Sequence, residues 1–440
     1  KVLERLQWAE QNIGNFTSQD GDNTINQDCV RAVISRFGLR EGTWRKYHEL
    51  GDAEKYLQEC VRASELLMAA YPTLYTGTDG QPGAGYGEMW TTEDLGQVPG
   101  IILYKSYVKD INPMGMSYIE HTSSHYVEMN QNTVDLYLMK NGKPILADGS
   151  GYHGNKDMYA VFRDRDPRLY QTVADSLRIM SAMGTNYTEG TSPTGYPTKK
   201  FLNDEWWVAG LDYCTGRLSP ADAPCIRYAE VLLNYVEARY EIAQVGGNAF
   251  TQSDLDKSIN ELRDRQLKKR GDTEAKTMPK VQLNGGNLSV NGVVINDPAR
   301  DPDVNPVLWE IRRERRIELI MEGRRGEDLR RWAKFEYLNS EDANGYPAMS
   351  FLGAYVNMAD YPEISSKDDS GKRVLYLFDP ENPGNEDTEK GYIYYLREKE
   401  LRIFKAGELN SERYYLRAIP AAQLTIYENK GQVLTQNPGW

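Results

Sequence analysis

Two stretches of the chain place carboxylates where they could work as acid and base. Between 226 and 244, Glu230, Asn234 and Glu237 stand four and three residues apart, so on a helix they share one face, with Arg227 just ahead of them. A pair of carboxylates on one face is what a glycoside hydrolase uses to protonate a leaving group and activate water. The competing reading is a polar clasp, because buried acids are normally neutralised by neighbouring cations. The run "ERRIELIMEGRRGEDLRRW" at 314–332 poses the same choice. From Glu310 to Arg331 there are eight arginines (312, 313, 315, 316, 324, 325, 330, 331) and six acids (310, 314, 318, 322, 327, 328). That near balance predicts interleaved ion pairs, whereas a nucleic-acid groove leaves its positive charge unpaired.

Other chemistries find little support. The chain has no GxSxG, P-loop or HExxH. His121 and His125 have the spacing of helical metal ligands, but their Ser/Thr-rich segment reads as extended, so no metal is expected there. The acidic loops at 297–303 and 379–387 lack EF-hand spacing and read as solvated. Cys29, Cys60, Cys214 and Cys225 form no CxxC, so neither a zinc site nor a disulfide scaffold is read from them. No cofactor is implied.

The aromatic residues are more suggestive. There are 30 Tyr and 8 Trp against only 9 Phe, a preference for rings that carry a polar tip. Trp90 and Tyr86 sit in a glycine-rich stretch, and Tyr187, Tyr196, Trp206 and Trp207 lie in irregular segments ahead of the helix at 226. Sugars offer apolar C–H faces rimmed by hydroxyls, so flat rings beside Asn, Asp and Arg are their complement. Each ring has a competing role as a plug that seals a loop onto the helices. Neighbours in an extended segment point to opposite faces, so only one of Trp206 and Trp207 is expected to face a ligand.

These residues must be held by a sizeable fold. The 440 residues are 40% hydrophobic, enough to bury a core, and a net charge of -12 disfavours nucleic acid and anionic membrane surfaces as partners. No window approaches the roughly 20 apolar residues of a membrane span. Lys1 opens directly into a helical pattern and not into a basic-then-apolar leader, so any export signal is expected to have been removed or never included. Val2, Leu6, Ala9 and Ile13 mark a first helix ending near Gly14. A second is predicted from about Ile25 to His48, and a third from Gly51–Asp52 to Tyr71, where Pro72 stops it. From 72 to 225 the chain turns loop-rich, with a small hairpin predicted at Asn141–Gly142. Helical periodicity returns from Ile226 to Gly246–Gly247, and Ser253 with Asp256 resembles a capping box for a partner helix ending by Gly271. A polar loop is read over 271–306, a third helical pair over 307–321 and 327–337, loops over 338–420 and a short helix near Ala421–Asn429. Three hairpins of similar length suggest tetratricopeptide-like units stacked into a superhelix. The predicted class is therefore mainly α, with helical hairpins at 1–71 and 226–337 and loop-rich elaborations at 72–225 and 338–420.

Four segments then carry a resemblance. "PCIRYAEVLLNYVEARYEIAQVGG", "INELRDR", "IRRERRIELIMEGRRGEDLRRW" and the ending "YYLRAIPAAQLTIYENKGQVLTQNPGW" resemble, in order, signatures of the SusD/RagB family of Bacteroidetes outer-membrane lipoproteins. "RDPRLYQTV" at 165–173 is similar to the middle region of that family. The resemblance implies one mainly α domain whose loop-rich face binds glycans, or in some members peptides. It implies no catalysis, a lipid anchor at the cell surface, and a SusC-like TonB-dependent transporter as partner. It makes Arg227, Glu230, Asn234, Glu237, Glu314, Glu318, Glu322, Arg324, Asp328 and Arg331 structural signature residues. Ligand contacts are then expected from Trp90, Trp206 and Tyr196, followed by Trp207, Tyr187 and Tyr346. Family members begin with a lipidated Cys and a further helical pair, so an N-terminal portion is expected ahead of Lys1.

Overall fold

The computed structural model describes residues 1–13, 23–78, 83–114, 129–174, 192–201, 203, 206, 209, 211, 218–268, 274–362, 365–367, 369–395, 408 and 411–440. Helices α1 (Val2–Ile13), α2 (Gln27–Tyr47) and α3 (Ala53–Ala70) open the scaffold. Leu3 is the buried anchor of α1, packing with Leu6, Ala9 and Ile13 against Val30, Ile34 and Ala63, while Val2 is half exposed. The Asn26 side chain caps α2 by accepting the Cys29 N–H at 3.0 Å. Glycine lets α2 and α3 touch. A Cβ added at Gly38 would lie 2.6 Å from the Tyr56 carbonyl oxygen, and one at Gly42 2.6 Å from Leu57 Cγ.

The first loop-rich region is tied to the scaffold at both ends. Strand β1 (Ile101–Lys105) pairs antiparallel with β2 (Ala223–Arg227), which runs directly into the next long helix. Between them lie α4 (Gln131–Leu136) and α5 (Pro167–Thr172). The chain does turn tightly at Asn141–Gly142, with Gly142 at φ +81 and the Met139 N–H donating to the Lys143 carbonyl at 2.9 Å. The expected hairpin is nevertheless absent. Val134 to Leu136 are helical, and Arg165 donates from one terminal nitrogen to the carbonyls of Val134 and Tyr137 (2.7 and 2.8 Å), groups a second strand would otherwise have taken.

Helix α6 (Tyr228–Gln244) is the central rod, buried along nearly its whole length. Its partner is broken into α7 (Gln252–Asp256) and α8 (Ile259–Asp264), and the capping box is Thr251 with Asp254, two residues earlier than the sequence pattern suggests. The supposed polar loop at 271–306 contains a three-stranded sheet, β3 (Val281–Asn284), β4 (Asn287–Val290) and β5 (Val293–Val294). Gly285 and Gly286, both at positive φ, form the two-residue turn between β3 and β4. Val281, Leu288 and Val290 are buried against Val236 and Ile311, which is why this otherwise polar stretch orders. Helices α9 (Pro306–Glu318) and α10 (Arg325–Arg331) complete the scaffold. The region after them also holds a small antiparallel sheet of order β6–β8–β7, from β6 (Tyr355–Asn357), β7 (Leu377–Phe378) and β8 (Lys390–Ile393), before α11 (Ala421–Asn429). No described helix is long and apolar enough to cross a membrane.

Candidate ligand-binding site

The carboxylates singled out for chemistry are locked in ion pairs. Glu318, fully buried, receives Arg168, Arg227 and Arg265 at 3.2, 2.8 and 2.7 Å. Burial pushes its carboxyl up, but Arg265, Arg227 and Arg168 together pull it well below the usual range. Glu237 receives Arg331 at 2.7 Å and the Trp332 indole N–H at 2.6 Å. Glu230 receives two nitrogens of Arg36, both at 2.7 Å, with Arg324 at 3.6 Å. Asn234 accepts from Arg315 at 2.8 Å and donates to Ser35 at 3.1 Å. Glu322 receives Arg227 and Lys200 at 2.7 and 2.9 Å, Glu314 receives Arg168 at 3.0 Å, and Asp328 receives Arg315 and Arg331, both at 2.9 Å. For both Glu230 and Glu237, burial raises the carboxyl and the arginines more than reverse it. A general acid must hold its proton near the working pH. This pair is anionic and buried, the opposite of what the hydrolase reading requires.

Two of the rings expected to meet a ligand are core residues. Tyr196 is fully buried, its hydroxyl donating to Gln131 at 2.7 Å. Trp90 is 8% exposed, with the Lys200 ammonium 4.2 Å from its ring centre and Phe201 edge-on at 5.1 Å. Their segments look irregular in sequence yet are pinned down. Ala174 donates to the Pro197 carbonyl at 3.0 Å and Ala354 to that of Thr194 at 2.7 Å. Neither ring turns a free face to solvent. Trp206 is half-buried, and its backbone N–H donates to the Asn203 side chain at 3.2 Å. Tyr187, Trp207 and the pair His121 and His125 lie outside the described residues. Tyr346 is 39% exposed and tilted against Phe378, with ring centres 6.0 Å apart.

Tyr346 closes a turn whose flanks, Glu341 and Ala348 to Ser350, line a cavity of ≈ 800 Å³. This cavity lies where both loop-rich regions meet the scaffold. Asn132, Asp135 and Asn155 come from the first region, Asn339 and Met349 from the second. Helix α9, capped by Asn305 accepting the Val307 N–H at 2.9 Å, supplies Trp309, Arg312, Arg313 and Arg316. Those positions step by three, four and seven, one helical face. Helix α10 adds Arg325, and Trp332 and Tyr337 follow it in the wall. Asp297 is held by Arg313 and by the Trp309 indole N–H at 2.7 Å, and Asp301 by Lys334 at 2.9 Å and the Tyr337 hydroxyl. These contacts hold two half-buried rings, Trp309 and Tyr337, in the cavity wall. Neither sequence pattern nor resemblance had marked them.

The expected interleaving of charge is incomplete. Arg313, Arg315, Arg324, Arg330 and Arg331 all meet carboxylates, whereas Arg312, Arg316 and Arg325 form no ion pair among the described residues. Arg316 donates only to Asn132 and Thr133, at 3.0 and 2.9 Å. Among the described residues no three His, Cys, Asp or Glu side chains converge as a metal requires.

A family model described as the SusD family matches residues 105–440. The chain belongs to the SusD family. Among solved structures, a SusD-like carbohydrate-binding protein from Bacteroides fragilis superposes with a TM-score of 0.60 at 20% identity, covering 96% of this chain and 69% of that one. A second SusD-like protein from Bacteroides fragilis gives a TM-score of 0.56 at 17% identity, over 100% of this chain and 70% of the other. No curated protein matches. At these identities the likeness concerns the fold alone.

Proposed function

We propose that this SusD-family protein captures an oligosaccharide or polysaccharide at the cell surface, without chemical change, for passage to a TonB-dependent transporter in the outer membrane. The observation that carries this reading is the cavity between the two loop-rich regions. At ≈ 800 Å³ it has room for a few sugar units, and it combines fixed rings with convergent amide, carboxylate and guanidinium groups. The carbohydrate-binding relative of the same fold supports it. So does the pairing of Glu230 and Glu237 with arginine, which leaves that pair no proton to donate. Native electrophoresis through gels containing single polysaccharides tests the proposal. At least one glycan should retard the wild type, and Trp309→Ala with Tyr337→Ala should restore free migration. Equal migration with every glycan, alongside tight binding of an unrelated peptide library, would transfer the cavity to a peptide ligand.

A further inference from the structure

The arginine surplus of α9 and α10 points to a ligand class. A guanidinium withdrawn from water without an acid beside it is costly. Three arginines with no ion pair among the described residues line one cavity, Arg312 buried and Arg316 and Arg325 half-buried. Arg312 is 5% exposed, and its Nε and one terminal nitrogen have no hydrogen-bond partner. Its guanidinium carbon lies 4.2 Å from the Trp332 ring centre and 5.2 Å from that of Tyr47, so π faces rather than acids hold it. Arg325 lies against Trp332 and Tyr337 at 5.7 and 5.8 Å. Arg316 reaches only the neutral acceptors of Asn132 and Thr133.

Four of the five acids that line the cavity are already engaged or pushed toward the neutral form. Asp297 and Asp301 are already engaged with Arg313 and Lys334, and Glu336 lies 3.2 Å from the same lysine. Asp135 accepts from Gln131 at 2.7 Å, and burial pushes its carboxyl up to about 6. Burial likewise pulls Arg325 down to about 10 and Arg316 well below the ordinary range, with the charges of Arg316 and Arg325 opposing each other. Bringing an anion into the cavity relieves all three guanidiniums at once.

We propose that Arg312, Arg316 and Arg325 form an anion subsite that selects an acidic oligosaccharide, taking its carboxylate or sulfate group while Trp309 and Tyr337 flank the adjoining sugar. This rests on the glycan reading above and narrows it. Planar guanidiniums match a carboxylate or sulfate fork better than a neutral hydroxyl rim, and ring supports fix Arg312 and Arg325 in advance.

Titration calorimetry on the wild-type chain and on Arg316→Gln and Arg325→Gln tests it. The probes are oligogalacturonides, a sulfated chondroitin oligosaccharide, neutral cello-oligosaccharides of matched length and an oligoglutamate peptide. The expected result is binding of one acidic oligosaccharide at least tenfold tighter than the neutral one, weakening with salt. The uronate and sulfate arms distinguish the two sources of charge. Each variant should lose tenfold or more for the acidic probe while unfolding no earlier than wild type, since it deletes a half-buried charge that meets no acid among the described residues. Equal affinity for acidic and neutral oligosaccharides, unchanged in both variants, overturns the anion subsite but leaves the glycan reading standing. Absence of binding to every oligosaccharide overturns both, and tighter binding of oligoglutamate overturns the assignment to sugar.

Discussion

The Trp332 indole N–H donates to Glu237 at 2.6 Å, and the Arg312 guanidinium carbon lies 4.2 Å from the centre of the same ring. One side chain thus joins the buried ion pairs of the scaffold to the wall of the cavity. Ligand specificity and scaffold stability meet at this ring, which is why the charged helices were hard to divide between the two roles by sequence alone.

The anchor of that arrangement is the Glu237–Arg331 pair, both members almost fully excluded from water. Removing one member strands the other as an uncompensated charge. Arg331→Met should therefore cost about 3–5 kcal/mol in urea denaturation. Changing both, with Glu237→Leu and Arg331→Met, should recover a large part of that loss, because burying two apolar groups of similar size avoids both desolvation penalties. A double variant as unstable as the single one would show that the pair is needed for more than mutual neutralisation.

Tyr196 and Tyr346 should separate packing from recognition. Tyr196→Ala removes a fully buried ring and strands the Gln131 side chain, so a loss of about 3–5 kcal/mol is expected. Tyr346→Ala should change stability by less than about 0.5 kcal/mol, since the side chain is 39% exposed and its ring lies tilted against Phe378. Calorimetry with whichever glycan retards the protein should then show weaker binding for Tyr346→Ala. An unaltered affinity would remove Tyr346 from the ligand face.

Asp135 gives the cavity a pH signature. Its carboxyl titrates near 6 in the fold against an ordinary 3.8. A raised carboxylate favours the protonated folded form, so its contribution is intact below about pH 4 and is lost as pH rises through 6. Asp135→Asn should gain about 1–2 kcal/mol at pH 8 and nothing at pH 4, the full shift being reduced because the half-buried group keeps some water. Denaturation curves of both proteins across that range provide the check. A difference that does not change with pH would mean the acid is not strained.

The long elements were legible because periodicity and caps dominate where one face must be buried. The ends of α2 and α3 lie within two residues of their expected positions, and α11 starts and stops as expected. What failed depended on distant partners. Nothing local to Tyr196 reports that Gln131 waits beneath it, and nothing in "VQLNGGNLSV" announces that Val281 and Leu288 will find Val236 and Ile311. The double glycine between alternating residues was a usable hairpin signal, outweighed by the surrounding polar composition. The arginine surplus was equally visible as a count of eight against six, yet only the fold shows which three arginines are left over.

Gly353 joins the two loop-rich regions and gives the last prediction. Its N–H donates to the Ile393 carbonyl at 2.8 Å, and the next residue, Ala354, donates to the Thr194 carbonyl at 2.7 Å. A Cβ on Gly353 would stand 2.2 Å from that Thr194 oxygen and 2.7 Å from the carbonyl carbon, so backbone would have to move. Gly353→Ala should cost about 1–3 kcal/mol by forcing the segments apart. Because Met349 and Ser350 lie just upstream in the cavity wall, ligand affinity should fall with it. Gly326→Ala is the contrasting change. It lies in α10 with nothing within 4 Å of a new Cβ, so alanine should stabilise the helix by about 0.5–1 kcal/mol. Opposite signs for the same chemical substitution would assign the cost at Gly353 to the close approach of the two regions, whereas equal effects would deny that contact any role in holding the ligand face together.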